Sequence, residues 1–218
     1  DIRSKCMNEN HLLSNSLRTS TMVAHKNAET STFMKQLFKG ECSKESYQFY
    51  LWALHEVYQT LEQSIEYLKT HEVINKLYFP QLFRLQTLKN DLDEWHFPTD
   101  CNVPLSVRDA VKLYCDRIDQ LSKEQPELLI AHIYVRYLGD LSGGQMLKKV
   151  LPKNFNKQNG FNFYDFPNLD AEQTKIEFRK RLDEIGKMSE KLSQEICQEA
   201  LQTFSLNTQL FKSLDEVQ

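Results

Sequence analysis

The sequence predicts an all-α fold in one domain, on three observations. Apolar residues recur over long stretches at a spacing of about 3.6, the period at which side chains return to one face of a helix. The 218 residues hold six glycines and six prolines, too little turn chemistry for a many-stranded sheet. Leucine, lysine, glutamate and glutamine are abundant, and all four favour helix. With 40% hydrophobic residues the chain can bury one sizeable core, so residues 1–218 are expected to form a single domain.

A first helix carries His25 and Glu29. Ser43 suits an N-cap, with Glu45 in the first turn, for a helix whose apolar positions run Tyr47, Tyr50, Leu51, Leu54, Tyr58, Leu61, Ile65, Leu68. Ser106 with Asp109 is expected to open another, with the stripe Val107, Val111, Tyr114, Ile118, Leu121, and Pro126 suits the first turn of the next. Asp170 and Ser189 are the expected caps of the last two helices, which carry Ile176, Leu182, Ile185 and then Leu192, Ile196, Phe204, Phe211, Leu214. Breaks are expected at Pro80, at Pro98 to Pro104, and from Pro152 to Pro167, an ordered loop or short strand pair around Gly160. The segment from Pro126 to Val150 is apolar nearly all round through Leu141, so it reads as a central helix that places its glycines inside the fold.

A net charge of −3 and a pI near 6.1 give no general field for nucleic acid or an anionic membrane. Five cysteines, at 6, 42, 101, 115 and 197, form no Cys-x-x-Cys pair and read as reduced thiols of a cytosolic protein. Asp1 to Asn10 has no secretory apolar stretch, and no apolar run is long enough to span a membrane.

Three of the six glycines fall in Gly139-Asp140-Leu141-Ser142-Gly143-Gly144. A glycine inside a helix costs about 0.5–1 kcal/mol relative to alanine, so the cluster marks backbone that must bend or be approached closely. Two readings fit: a broad planar ligand lying on bare backbone, or close packing of another helix on Gly139 and Gly143 at i and i+4. Asp140 favours the first, because a buried carboxylate beside a mere packing notch is costly without partners or a role. His25 precedes Glu29 by one turn, so the carboxylate can hold one ring nitrogen and leave the other for iron. A lone helical histidine is also often just a surface or core residue. His11, His55, His71, His96 and His132 form no ligand spacing.

The run Tyr134-Val135-Arg136-Tyr137-Leu138-Gly139-Asp140-Leu141-Ser142-Gly143-Gly144-Gln145 resembles the signature of the heme oxygenase family. His25-Lys26-Asn27-Ala28-Glu29 with Phe33-Met34 is similar to that family's proximal helix, and Tyr78-Phe79-Pro80 to its mid-chain turn. Pro126-Glu127-Leu128-Leu129 resembles the start of its distal helix and Asn207-Thr208-Gln209-Leu210-Phe211 its last helix, so the resemblance covers nearly the whole chain. It implies a multihelical fold with heme b between a proximal and a kinked distal helix. His25 would be the axial iron ligand with Glu29 behind it, Met34 and Phe204 would border the heme, and Gly139, Gly143 and Gly144 would lie over it. Arg18, Lys175 and Arg179 match basic residues near the heme propionates, Arg18 replacing a lysine, with Tyr134 as a donor there; Lys175 and Arg179 alone would read as an exposed i, i+4 pair. Tyr58, Tyr114, Arg136 and Asn207 resemble the polar network around the catalytic carboxylate, Asp140.

The resemblance implies that heme is both cofactor and substrate, cleaved with O2 to biliverdin, carbon monoxide and ferrous iron. Glycines in place of a distal His or Arg leave no side chain to pull the O–O bond apart, and their backbone crowds the oxygen toward one meso carbon. Asp140 would deliver protons through ordered water. Electrons must come from outside, since the chain has no Gly-x-Gly-x-x-Gly and no iron–sulfur cysteine spacing. The implied donor is an NADPH-dependent flavoprotein reductase, or else a ferredoxin, docking at Lys148-Lys149 unless these are merely a solvated helix end; biliverdin reductase is a further partner. A cytoplasmic monomer is expected, on the cytosolic face of the endoplasmic reticulum if a C-terminal membrane tail follows Gln218. Two other classes remain in view: a heme sensor or carrier without turnover, for which Asp140 has no use, and a helical adaptor, which leaves His25 and Glu29 unexplained.

Overall fold

Capping chemistry divides the N-terminal part of the chain into short helices. In the computed structural model, which describes residues 11–98, 102–215 and 217, α1 (Leu13–Ser20), α2 (Met22–Glu29) and α3 (Thr32–Lys39) follow in close succession. The Ser31 hydroxyl accepts from Met34 N–H at the start of α3, and Gly40, at φ 74°, ends it in the left-handed conformation. Asn154 Nδ2 donates to the carbonyls of Leu37 and Phe38, two of the orphan acceptors at that end.

The long α4 (Lys44–Tyr67) begins as expected, with Ser43 Oγ accepting from Ser46 N–H at 3.0 Å, and buries the expected apolar stripe from Tyr47 to Ile65. Two 3-10 turns, Ile74–Leu77 and Pro80–Leu82, lead to α5 (Leu85–Glu94). Helix α6 (Leu105–Glu124) starts earlier than its expected cap. Pro104 takes the N-cap place with its carbonyl accepting from Val107 and Arg108 N–H, so Ser106 falls inside the first turn and caps nothing.

The expected central helix is broken. A 3-10 turn with Pro126 at its start (Pro126–Leu128) leads into α7 (Leu129–Ile133), a π turn (Tyr134–Leu138), α8 (Gly139–Leu141) and, past Ser142 and Gly143, α9 (Gly144–Asn154). Pro152, expected to end this element, lies inside the last turn of α9, where the missing N–H is tolerated and its carbonyl accepts from Lys157 N–H at 2.9 Å. Residues 155–167 hold a 3-10 turn, Asn162–Tyr164, and no strand occurs among the described residues. The turn is fixed by the fully buried Asp91 of α5, whose carboxylate accepts from the backbone N–H of Asn162 and Phe163 and from Asn162 Nδ2 at 2.7–2.9 Å.

Helices α10 (Ala171–Gly186) and α11 (Glu190–Asp215) start at the expected caps, with Asp170 accepting from Gln173 N–H and Ser189 from Leu192 N–H. Ile176, expected on the buried stripe of α10, is 57% exposed; Phe178, Leu182 and Ile185 form the buried face instead. Helix α11 packs against α1, α2, α3, α6, α7 and the π turn, so one helix gauges the position of both halves of the molecule. No helix of the described residues is long and apolar enough to cross a membrane, and Cys42, Cys115 and Cys197 are free thiols. Cys6 and Cys101 lie outside the described residues.

The end of α10 meets the start of α1 closely. A Cβ on Gly186 would stand 2.7 Å from Leu13 Cβ, and Ser14 N–H donates to Asp183 Oδ1 at 2.9 Å beside it. Gly186→Ala gains about 1 kcal/mol of helix propensity but must displace α1, at about 1–3 kcal/mol for an overpacked contact. Its urea midpoint is therefore expected to fall; a rise would mean that α1 moves aside freely.

Candidate functional site

Local winding decides where the glycines point. The π turn inserts one extra residue at Tyr134–Leu138, and the helix breaks again at Ser142 (φ −112°, ψ −82°) where two glycines follow. Gly139 and Gly143 are exposed, so the expectation of a bare stretch packed inside the fold is corrected. A Cβ on Gly139 would meet nothing within 4 Å, and one on Gly143 only the Gly139 carbonyl at 3.8 Å. Gly144 faces the same carbonyl and the Tyr164 ring at 3.8 Å. Close helix packing on Gly139 and Gly143 is thereby ruled out: no described element of the protein rests on them.

Burial raises the Tyr134 pKa, while Thr21, which lies one turn before His25, and the charges of Arg179 and Arg18 pull it back. His25 and Glu29 are close partners, Oε1 lying 2.9 Å from Nε2, and both side chains are more than half exposed. The imidazole ring also lies 5.7 Å from the Phe204 ring of α11. Three residues on, Asn207 Oδ1 accepts from Arg136 Nη1 at 2.6 Å. One stretch of α11 therefore touches the histidine on one element and the distal network on the other.

The distal network is buried and continuous. Tyr58 OH donates to Asp140 Oδ2 in a short hydrogen bond, Arg136 Nε donates to Tyr58 OH at 3.1 Å, and Asn207 Nδ2 donates to the Thr203 carbonyl. Burial pushes the Asp140 carboxyl up from 3.8 to about 6, against the charge of Arg136, the Tyr58 hydrogen bond and the more distant Arg84. Burial likewise holds the Tyr58 phenol well above its ordinary range, so it remains a donor. Tyr114 turns its buried hydroxyl toward Arg136 and Asn207 without reaching hydrogen-bond geometry.

Tyr58, Arg136 and Asp140 are thus brought together, as is His25 with Glu29 and Phe204, while Arg18 and Arg179 act on Tyr134 through their charge. Met34 is partly buried against the core beside Phe33. Lys175 is tied to Glu172 at 2.9 Å, with its side chain only 13% exposed, so it is not the exposed partner of Arg179 that its spacing suggested. Lys148 pairs with Asp165, leaving Lys149 exposed. Sequence reasoning missed Thr21, Glu62 and Gln145. Glu62 carried a readable signal: it is a charge one turn from Tyr58 on the apolar stripe of α4. Among the described residues no group of three or more His, Cys, Asp and Glu is arranged to hold a metal ion.

Residues 11–213 match the family model described as heme oxygenase. The chain belongs to the heme oxygenase family. It is 38% identical to heme oxygenase 1 of Bos taurus, over 93% of this chain and 71% of that protein, and 38% identical to the heme oxygenase of Guillardia theta, over 91% and 84%. Its fold matches the crystal structure of heme oxygenase-1 from Synechocystis in complex with heme, with a TM-score of 0.87 at 33% identity over 94% of this chain and 93% of that one. The heme oxygenase of Leptospira interrogans matches at a TM-score of 0.82 and 38% identity, covering 91% and 98%. The expectations of an all-α heme oxygenase fold and an enzyme of this family hold.

The raised Asp140 pKa makes a measurable prediction for ligand-free protein. The folded-state value lies above the unfolded one, so folding takes up a proton between 3.8 and about 6. This group's stabilising contribution is complete below that window and is lost as pH rises through it. Removing the titration should make Asp140→Asn gain stability relative to the parent between acidic and neutral pH. The gain should be on the order of 3 kcal/mol, since each tenfold change in a group's proton affinity on folding is worth about 1.36 kcal/mol. A difference independent of pH in chemical denaturation would show that the carboxyl titrates as a solvated one.

Proposed function

We propose that this chain degrades heme oxidatively, opening the macrocycle to biliverdin with release of carbon monoxide and ferrous iron. The observation that supports this best is a buried, proton-holding carboxyl, Asp140, set beside an open face made of glycine backbone. The residues fit a porphyrin: Gly139 and Gly143 offer bare backbone to a flat ring, and His25, with Glu29 on one nitrogen, offers the other to iron. Bound there, the iron would supply the O2 and electron-transfer chemistry.

The chain's own groups then have distinct tasks. Glu29, 2.9 Å from Nε2, orients the His25 imidazole and leaves its other nitrogen for iron. Arg18 and Arg179, whose charges act on Tyr134, supply positive charge where the ring's carboxylates would emerge, which fixes its rotation in the cleft. Lys175 contributes to this only by releasing Glu172. On the distal side Asp140 would hold and release a proton, by way of a water molecule, at the open glycine face. Tyr58 and Arg136 keep that carboxyl in place and near the pKa at which it can do both. The bare backbone of Gly139 and Gly143, with no side chain of its own, would set the steric limits on a ligand at the open face. A carrier that only holds heme would gain nothing from a buried carboxyl poised near 6.

Electrons would be supplied by an external NADPH-dependent reductase or a ferredoxin, with exposed Lys149 and Lys153 on α9 as part of its docking face. A product-consuming reductase is a second partner class.

Turnover is tested by loading heme without oxygen, then adding O2 and a reducing system and following the absorption of biliverdin. The parent should form it. Asp140→Ala should keep heme affinity within about threefold, because the carboxyl is proposed to meet water and not the ring, and should lose most biliverdin formation. With hydrogen peroxide the variant should instead oxidise guaiacol. Parental biliverdin rates in the variant would make Asp140 a structural residue and leave the carrier reading.

A further inference from the structure

The distal segment is held to α4 at two residues, Tyr58 and Glu62, and Tyr58 also accepts from Arg136 Nε of the π turn. Tyr58 of α4 donates to Asp140 of the distal segment. In return, Tyr137 of the distal segment donates to Glu62 Oε1 of α4 at 3.0 Å. On α4 the two partners are one helical turn apart; on the distal side they straddle the end of the π turn at Leu138. Glu62 is 5% exposed and is itself fixed, since its carboxylate also accepts from the backbone N–H of Arg84, in a short bond, and of Leu85 at 3.1 Å.

Resting on the heme-cleaving function proposed above, we propose that Glu62 is a positioning residue for Asp140. With Tyr137 it forms the second arm of a clamp that sets the register of the π turn. Tyr58 alone, although bonded to both Asp140 and Arg136, tethers the segment at one point of α4 and would allow it to pivot there. Relaxation of the π turn to ordinary α winding would rotate everything after Leu138 by about 100° and swing the carboxyl away from the glycine face. Two attachment points on one rigid helix forbid both motions.

The same post reaches the far end of the glycine stretch. The Arg84 guanidinium donates to the carbonyls of Phe163 and Asp165, and the turn they belong to accepts Gln145 Nε2 at the Tyr164 carbonyl, 2.9 Å. The Tyr164 ring abuts Gly144. Residues 137 and 145 are thus both referred to the junction of Glu62 with the start of α5, and the uncovered backbone lies between them.

The test begins on ligand-free protein, where heme chemistry plays no part. In Tyr137→Phe, amide hydrogen exchange over residues 138–144 should quicken at least tenfold while peptides from α6 and the N-terminal half of α11 keep parental rates. Glu62→Gln, which keeps one acceptor oxygen, should fall between that variant and the parent. Ile118→Val, a buried truncation in α6, serves as a control for general loss of stability. After heme loading, Tyr137→Phe should also broaden the parent's biliverdin isomer distribution. Parental exchange over 138–144, or acceleration spread over all helices as in the control, overturns the clamp. If Tyr137→Phe fails to fold, parental exchange in Glu62→Gln overturns it equally. Failure of the parent to make biliverdin, with exchange as expected, would remove the function proposed above and leave the clamp standing.

Discussion

Keeping the Asp140 carboxyl out of water is the constraint on which the distal side depends. An isolated carboxylate in such a place would be neutralised or expelled. Here one phenol donates to it, and that phenol is in turn a partner of Arg136. Burial wins by a modest margin, leaving the group near 6 and still able to ionise. Had Arg136 bonded the carboxylate directly, the charge pair would have driven the pKa down and left a permanent anion. Placing Tyr58 between them lets the arginine stabilise the carboxylate without removing its ability to hold a proton.

That arrangement fixes how the glycines are used. Tyr137 reaches Glu62 and Asp140 reaches Tyr58 from either side of the end of the π turn. The π turn adds one residue to the helix, and low helix propensity at Gly139, Gly143 and Gly144 makes the distortion cheap. Their lack of side chains then has a second consequence: nothing fills the face they line.

Much of this was legible in the sequence where the signal was local. Ser43, Asp170 and Ser189 cap helices because their hydroxyl or carboxylate reaches an N–H three residues on, and the apolar period of α4 carries through to Ile65. Ser106 misled because the proline two residues earlier can start the helix itself. Ile176 misled because an isolated apolar residue obeys the period no better than its neighbour Phe178, and tertiary contact chose the larger one. At the site, Asp140, Tyr58, Arg136 and the His25–Glu29 pair were legible through spacing and through the resemblance of the glycine segment. The π turn was not, since five residues of unremarkable helical propensity do not encode an i→i+5 winding without their partners Glu62 and Asn207. Lys175 was misplaced for the same reason: its choice of Glu172 is a local competition that a pattern of charges leaves open.

The partners of α11 complete the argument. Glu199, Thr203 and Asn207 form a buried polar stripe at i, i+4 spacing along that helix. Glu199 accepts both nitrogens of a bidentate Arg117 and lies 3.0 Å from His132 Nε2, just before the π turn, while Asn207 takes Arg136 within it. Burial lowers the His132 pKa, so the ring is neutral and serves Glu199 as a donor, with Arg117 balancing the carboxylate's charge. The approach to the distal segment is therefore fixed by α11, its middle by α4, and its exit by the turn at Asn162–Tyr164. What remains uncovered is the backbone at Gly139 and Gly143, and that face is a product of the same hydrogen bonds that place the carboxyl beside it.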